Sequence, residues 1–262
     1  YKTAKAKTPL KNGDNVQIWM PPPEPLIYLK PEKMDLKILF EDEHIIVINK
    51  QSGLIVHPAP GHKSGTLVNG LLFHCNDLPG INGKLRPGIV HRLDKDTSGC
   101  MVVAKSQEAL VNLQKQIKEK IASREYIAVI HGAPNSEEGQ IVGHIGRDKL
   151  NRLKYKVVEE TSGRYACTYW KLEERFGNYS LMSFKLDTGR THQIRVHCAH
   201  INHPIVGDPL YGRCKKLPCK LDGQALHAIK LGLIHPINGK EMIFESELPL
   251  DFQKLLSVLK VK

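Results

Sequence analysis

The sequence predicts an α+β fold: a mixed, largely antiparallel central sheet with flanking helices and loops. Three observations carry that prediction. Apolar runs of strand length outnumber stretches with helical periodicity. The two kinds do not alternate as regular strand–helix–strand units, which argues against a doubly wound parallel sheet. Tight turn signals join successive strand-like runs directly, at Phe176-Gly177-Asn178 and at Asn238-Gly239, the strongest short turn in the chain. No internal repeat, Walker A sequence or dinucleotide fingerprint interrupts the pattern.

Along the chain, Lys11-Asn12-Gly13-Asp14 is a turn before a short strand at 16–19 and a run of three prolines, Pro21 to Pro23, with the character of a linker. So short a stretch has no core of its own. Residues 1–25 are therefore expected to end a preceding domain or to pack on the main body, which residues 26–262 form. Residues 36–50 predict two strands around the polar turn Glu41-Asp42-Glu43-His44. Amphipathic helices are predicted at 66–75, from Leu67, Gly70, Leu71 and His74, and at 110–121, from Leu110, Leu113, Ile117 and Ile121. Between them runs a loop rich in glycine and proline, 78–99, of a length that usually carries function. The apolar strand 100–104 follows it. Further strands are predicted at 125–130, 165–172 and 179–186, and a helix at 191–201, where Ile194, Cys198 and Ile201 form an apolar face with Arg195 at its margin.

Hydrophobic residues make up 41% and charged residues 25% of the 262, values that exclude collagen, coiled coil and low-complexity chains. The formal charge of +11 concentrates polyanions, so nucleic acid is the leading partner class. Its distribution sharpens this: Lys2, Lys5, Lys7 and Lys11 form one basic run, Arg147, Lys149, Arg152, Lys154 and Lys156 a second, and Arg213, Lys215, Lys216 and Lys220 a third. Basic runs are usually solvated faces, but three of them suit a surface that follows a phosphate backbone. No apolar stretch approaches membrane-spanning length, and no signal-peptide core opens the chain. A soluble cytoplasmic protein is expected, or an organellar one in a eukaryotic source. Six cysteines in a chain this long are expected as thiols. His197, Cys198, His200, His203, Cys214 and Cys219 crowd one stretch without a paired C-x₂-C, so no metal site is expected there, and the three histidines read as structural.

The richest segment is Pro87-Gly88-Ile89-Val90-His91-Arg92-Leu93-Asp94-Lys95-Asp96-Thr97-Ser98-Gly99, where two carboxylates sit among basic side chains, hydroxyls and glycines. Taken singly, such residues are the material of surface ion pairs and turn caps. In this order they resemble the signature of the RluA-type family of pseudouridine synthases: His-Arg-Leu-Asp, then Thr-Ser-Gly two residues on. The resemblance continues at Arg124-Glu125-Tyr126, from Thr188 through Gly189-Arg190-Thr191-His192-Gln193-Ile194-Arg195 to His197, and from His203-Pro204 to Tyr211-Gly212, and so covers residues 36–250.

The resemblance implies the pseudouridine synthase fold and activity. It assigns Asp94 as the essential carboxylate, Tyr126 as the aromatic residue against the target base, and Arg195 as the carboxylate's cationic partner. Arg92 would help extrude the nucleotide. His91 and Thr97, flanking the aspartate, group with it as substrate-binding, and Leu231 in the segment 226–231 would line the uracil pocket. The chemistry fits these residue types. The bond from C1′ to N1 must break and one to C5 form, which calls for a carboxylate ionised at neutral pH, and a neighbouring arginine favours that form against burial. Attack on C1′ and removal of a ribose proton on a glycal route both remain open. The target uridine has to leave its stack, at a cost of a few kcal/mol. Neither cofactor nor metal is required. The turn and strand at 11–19 are similar to the end of an S4-type RNA-binding domain. With Ile55-Val56-His57-Pro58 and Leu78-Pro79-Gly80, they point to the RluD-like branch and large-subunit ribosomal RNA, with transfer RNA as the alternative. A monomer is expected. The rivals are a catalytically silent RNA-binding protein and a metal-dependent enzyme.

Overall fold

The structure is a computed structural model that describes residues 9, 11–15, 29–58, 62–75, 78–79, 87–212 and 217–261. The strand expected at 16–19, the proline run, the boundary near residue 25 and Cys214 lie outside the described residues. The first elements among the described residues form the expected hairpin, β1 (Ile38–Glu41) and β2 (Ile45–Lys50). Asp42 makes its turn: one carboxylate oxygen accepts the backbone N–H groups of His44 and Ile45, both at 2.8 Å.

Strand β2 is apolar without alternation because both its faces are covered. Ile46 and Ile48 enter the larger core, and Ile45 and Val47 the smaller one behind it. β3 (Ser98–Ala104), buried at every position, runs beside it. Helix α1 (Leu67–His74) packs Leu67 and Leu71 on the larger core, together with Phe252, Leu255 and Leu259 of α4 (Leu250–Lys260). On the other face α2 (Gln107–Lys118) contributes Ala109 and Leu113. This helix begins earlier than its apolar pattern, because the Ser106 hydroxyl caps it by accepting from the Ala109 N–H at 3.2 Å. It ends before Ile121, where Lys120 turns left-handed at φ 63°.

The rest of the sheet is built from β4 (Ser123–His131), β5 (Glu138–Arg147), β6 (Tyr155–Val158), β7 (Arg164–Phe176), β8 (Tyr179–Leu186), β9 (Leu226–Ile234) and β10 (Glu241–Glu245). Neighbours follow the order β1-β2-β3-β9-β4-β8-β7-β5-β6, with β10 also on β9. Every pair is antiparallel except β3 with β9, which meet only at Ser98–His227 and Gly99–Ala228. The sheet is thus mixed and mostly antiparallel, as predicted. Helix α3 (Gln193–His200), between β8 and β9, is shorter than the predicted 191–201. His192 sits at φ 56°, outside the right-handed helical region. The Gln193 side chain builds the entry instead: its Oε1 accepts from the Arg190 N–H at 2.9 Å and from the Thr188 hydroxyl at 2.7 Å.

Candidate active site

A cavity of about 660 Å³ opens between the loop before β3 and the approach to α3. The loop before β3 lines it with Ile89 to Asp94, β4 with Arg124 and Tyr126, β9 with Leu226, and the approach to α3 with residues 186–195. The Asp94 loop is held from below. Lys50 is 1% exposed, and its ammonium donates to the carbonyls of Gln51, Leu54 and Lys95 at 2.8, 2.8 and 2.9 Å. Burial pulls that lysine down to about 7, against the pull of the Asp94 and Asp96 charges. Thr97 donates its N–H to the Asp94 carbonyl at 3.2 Å, and its hydroxyl accepts from Gln224 at 3.0 Å. Gly99, at φ 116°, lies so close to Ala228 that a Cβ there would collide with backbone. Ser98 hydrogen-bonds with His227 at 2.8 Å across the same junction.

Asp94 faces one edge of a guanidinium. Its Oδ2 accepts from Arg195 Nη1 at 3.0 Å, and both side chains are largely withdrawn from water, 15% and 5% exposed. The other edge of Arg195 is forked onto Asp208, Nε to Oδ2 at 2.7 Å and Nη2 to Oδ1 at 2.9 Å. Asp208 Oδ1 also accepts the N–H groups of Leu210 and Tyr211 at 2.8 and 3.0 Å. Burial works against ionising Asp208, but the Arg195 bonds and charge and those two N–H groups outweigh it and hold the carboxyl below its ordinary value. Burial likewise opposes the Arg195 charge, and Asp208 and then Asp94 overcome it, raising the guanidinium above its ordinary value. One cation thus serves two carboxylates, the fully buried one fixing its orientation and the other facing the cavity.

Aromatic side chains close around this triad. The Arg195 guanidinium lies over the Tyr211 ring, 5.2 Å from its centroid. The Tyr211 hydroxyl accepts the Tyr155 N–H at 2.8 Å and shares a hydrogen bond with His192 Nδ1 at 3.0 Å. His192 Nε2 stands 3.9 Å from Asp94 Oδ1, and burial lowers this imidazole's affinity for a proton. Tyr126 is 6% exposed and lies where the β4–β9 register slips between Glu125 and Ile127. Burial raises its hydroxyl above the ordinary value, with the Arg124 charge opposing.

The fold brings Asp94, Tyr126, Arg195, His91, Arg92 and Thr97 to this one cavity. Arg92 is exposed at its rim. His91 is tied inward: its Nε2 accepts the Val102 N–H at 3.1 Å, and burial, with the Arg124 charge, holds it down to about 3, so it is neutral. Leu231 is not among the residues that line the cavity. Side chains alternate along β9, so Leu226 turns to the cavity side while Leu231 falls on the opposite face, in the smaller core with Leu233, Ala122 and Phe244. His197 hydrogen-bonds with Thr168 at 2.9 Å, His203 donates to the His131 carbonyl at 2.9 Å, and Cys198 is buried in the larger core. Among the described residues no three histidines, cysteines or carboxylates converge as metal ligands. Sequence reasoning passed over Lys50, Arg124, His192, Asp208 and Tyr211. The last four stand inside or beside the quoted motif runs, whose strict order was the available signal. Lys50 carried none, since a lysine ending an apolar strand reads as solvent-facing.

Known proteins resemble this chain over most of its length. The family described as RNA pseudouridylate synthase matches residues 44–200. An RNA pseudouridine synthase of Synechocystis without further characterisation is 50% identical over 252 residues, covering 96% of this chain and 77% of that protein. The protein of Zymomonas mobilis named ribosomal large subunit pseudouridine synthase D is 44% identical over 259 residues, covering 96% and 81%. In structure, human RNA pseudouridylate synthase domain containing 4 superposes with a TM-score of 0.67 at 24% identity over 86% of this chain and 93% of that one, a likeness of fold. On these matches the chain belongs to the RNA pseudouridine synthase family, and it is an isomerase that converts uridine in RNA to pseudouridine.

Proposed function

We propose that the substrate is large-subunit ribosomal RNA, that Asp94 is the catalytic carboxylate, and that Arg195 and Tyr126 complete the catalytic set. The observation that carries this reading is the Asp94 carboxylate held by a single Arg195 N–H at 3.0 Å in a cavity it shares with Tyr126. Because Asp208 takes the fork of the guanidinium, Asp94 keeps one oxygen uncommitted to Arg195 and aimed at the ribose of a bound uridine. Tyr126 offers a flat face to the uracil and a hydroxyl for the C5 proton that must leave. Arg92, exposed at the rim, would fill the space the flipped nucleotide vacates, and His91 and Thr97 shape the loop that presents Asp94. The relative named for the ribosomal large subunit supports that RNA over transfer RNA. One chain supplies all three catalytic groups, which supports a monomer. We place it in the cytoplasm.

The test is release of tritium from RNA labelled at uridine C5, joined to a map of pseudouridines in ribosomal and transfer RNA from cells with and without the protein. Tritium release together with lost sites in the large-subunit RNA is expected. Sites lost only from transfer RNA would overturn the substrate assignment while leaving the reaction intact.

A further inference from the structure

The β5–β6 hairpin walls a second cavity, of about 550 Å³, which shares Gly189, Arg190 and Thr191 with the catalytic one. Arg147, Arg164 and Arg190 line it, and among the described residues no carboxylate does. Among the described residues none of the three makes an ion pair. Their guanidinium groups are partly preset. Arg147 lies over the Tyr155 ring at 5.6 Å and donates to its hydroxyl at 3.2 Å. Arg190 donates its Nε to the Tyr165 carbonyl at 2.8 Å, leaving its two terminal nitrogens uncommitted. Part of the floor is bare backbone, since Gly146 and Gly163 lie where a Cβ would press on the neighbouring strand. The hairpin beyond carries Lys149, Arg152, Lys154 and Lys156, of which, among the described residues, Lys156 alone has an ion-pair partner, Asp148 at 3.7 Å.

Three arginines around a recess without an anion form a site for one. The guanidinium fork matches phosphate oxygens, and stacking on Tyr155 lowers the entropy lost when Arg147 binds. Gly189, Arg190 and Thr191 line both this recess and the catalytic cavity, and the Tyr155 ring lies 5.6 Å from that of His192. Tyr155 reaches the Asp94 side through its N–H bond to Tyr211, and Tyr211 contacts both His192 and Arg195. We infer that the recess binds a backbone phosphate of the RNA strand, next to the nucleotide whose uracil occupies the catalytic cavity. This rests on the RNA isomerase reading and adds to it the path by which the strand leaves the cleft, over Gly189 to Thr191 and along the β5–β6 hairpin.

The experiment measures binding of a short fluorescein-labelled oligouridylate across a range of salt concentrations, with thermal melting to confirm that each variant folds. R147Q/R164Q should bind about tenfold more weakly, since hydrogen bonds to charged groups are lost. Its plot of log affinity against log salt should be shallower by about 0.7 for each phosphate contact removed. R147K/R164K, which keeps the charges, should regain most of the salt dependence. K33Q/K37Q removes the same charge near β1, at the opposite edge of the sheet from β6, and should match the wild type. Equal losses in R147Q/R164Q and K33Q/K37Q would reduce the recess to bulk charge, and an unchanged slope in R147Q/R164Q would remove it; either overturns the proposal. Failure of the wild type to release tritium from labelled RNA would instead sink the functional reading beneath it.

Discussion

Arg195 carries two carboxylates with different tasks, and substitutions separate them. Asp94→Asn leaves the forked pair of Arg195 and Asp208 in place and keeps an acceptor for Nη1, so stability should change little while tritium release disappears. Asp208→Asn breaks a buried pair and leaves Arg195 with the cavity carboxylate alone. It should cost about 3–5 kcal/mol in urea unfolding and lower activity through a misplaced guanidinium. Full activity in the Asp208 variant would show that Arg195 needs no anchor. This division of labour was half legible in the sequence. The motif order marks Asp94 and Arg195, but that Asp208 folds back onto an arginine thirteen residues earlier depends on the turn after α3, which side-chain types alone do not specify. The face on which Leu231 lies was hidden for a related reason: adjacent apolar residues on a strand buried on both faces carry no sign of which face looks at the site.

At the scale of elements, the two-residue parallel contact of β3 and β9 positions the Asp94 loop, and Gly99 makes it possible. Gly99→Ala should cost about 1–3 kcal/mol from backbone conformation alone, more from the collision with Ala228, and should lower activity because the loop moves. Ser106→Ala is the counterpart away from the site: it removes the α2 cap, should cost about 1 kcal/mol, and should leave tritium release at the wild-type rate. Equal activity losses in both would mean that global stability, not the junction, controls the loop. Elements with a clean pattern were legible, among them the β1–β2 hairpin, α1 and the β9–β10 hairpin at Asn238-Gly239. The strand β5 escaped prediction because Gly139, Gly143 and Gly146 break its alternation, and β6 because its Lys156 reads as part of a basic run. Those glycines are accounted for only by the folded sheet, where side chains of Trp170 and Val157 occupy the space above Gly139 and Gly143.

For the molecule as a whole, burial sets the acid limb of stability. His91 is held down to about 3 and His197 to about 4, and His192 and His227 are also lowered, each chiefly by burial. In the unfolded chain these imidazoles take up protons near pH 6.5. Below that pH the unfolded state binds more protons than the folded one, so stability falls as pH drops from about 6.5 toward 4. Paired carboxylates such as Asp208 add their own loss only at lower pH. Urea midpoints should therefore be lower at pH 5 than at pH 7.5, and His197→Asn should flatten the difference. A wild-type midpoint independent of pH across that window would show that these histidines are already charged in the folded protein.

The position of β9 has a temporal consequence. It is ninth of ten strands among the described residues yet central in the sheet, inserted between β3 and β4. Asp94 belongs to the side built first, while Tyr126 and Arg195 belong to the side that follows. As the polypeptide emerges from a ribosome, each half can pair its own strands, but the seam between them stays open until residues 226–234 have been made. A nascent chain thus holds Asp94, Tyr126 and Arg195 before it can aim them at one another, and catalysis waits on the strand that joins the two halves.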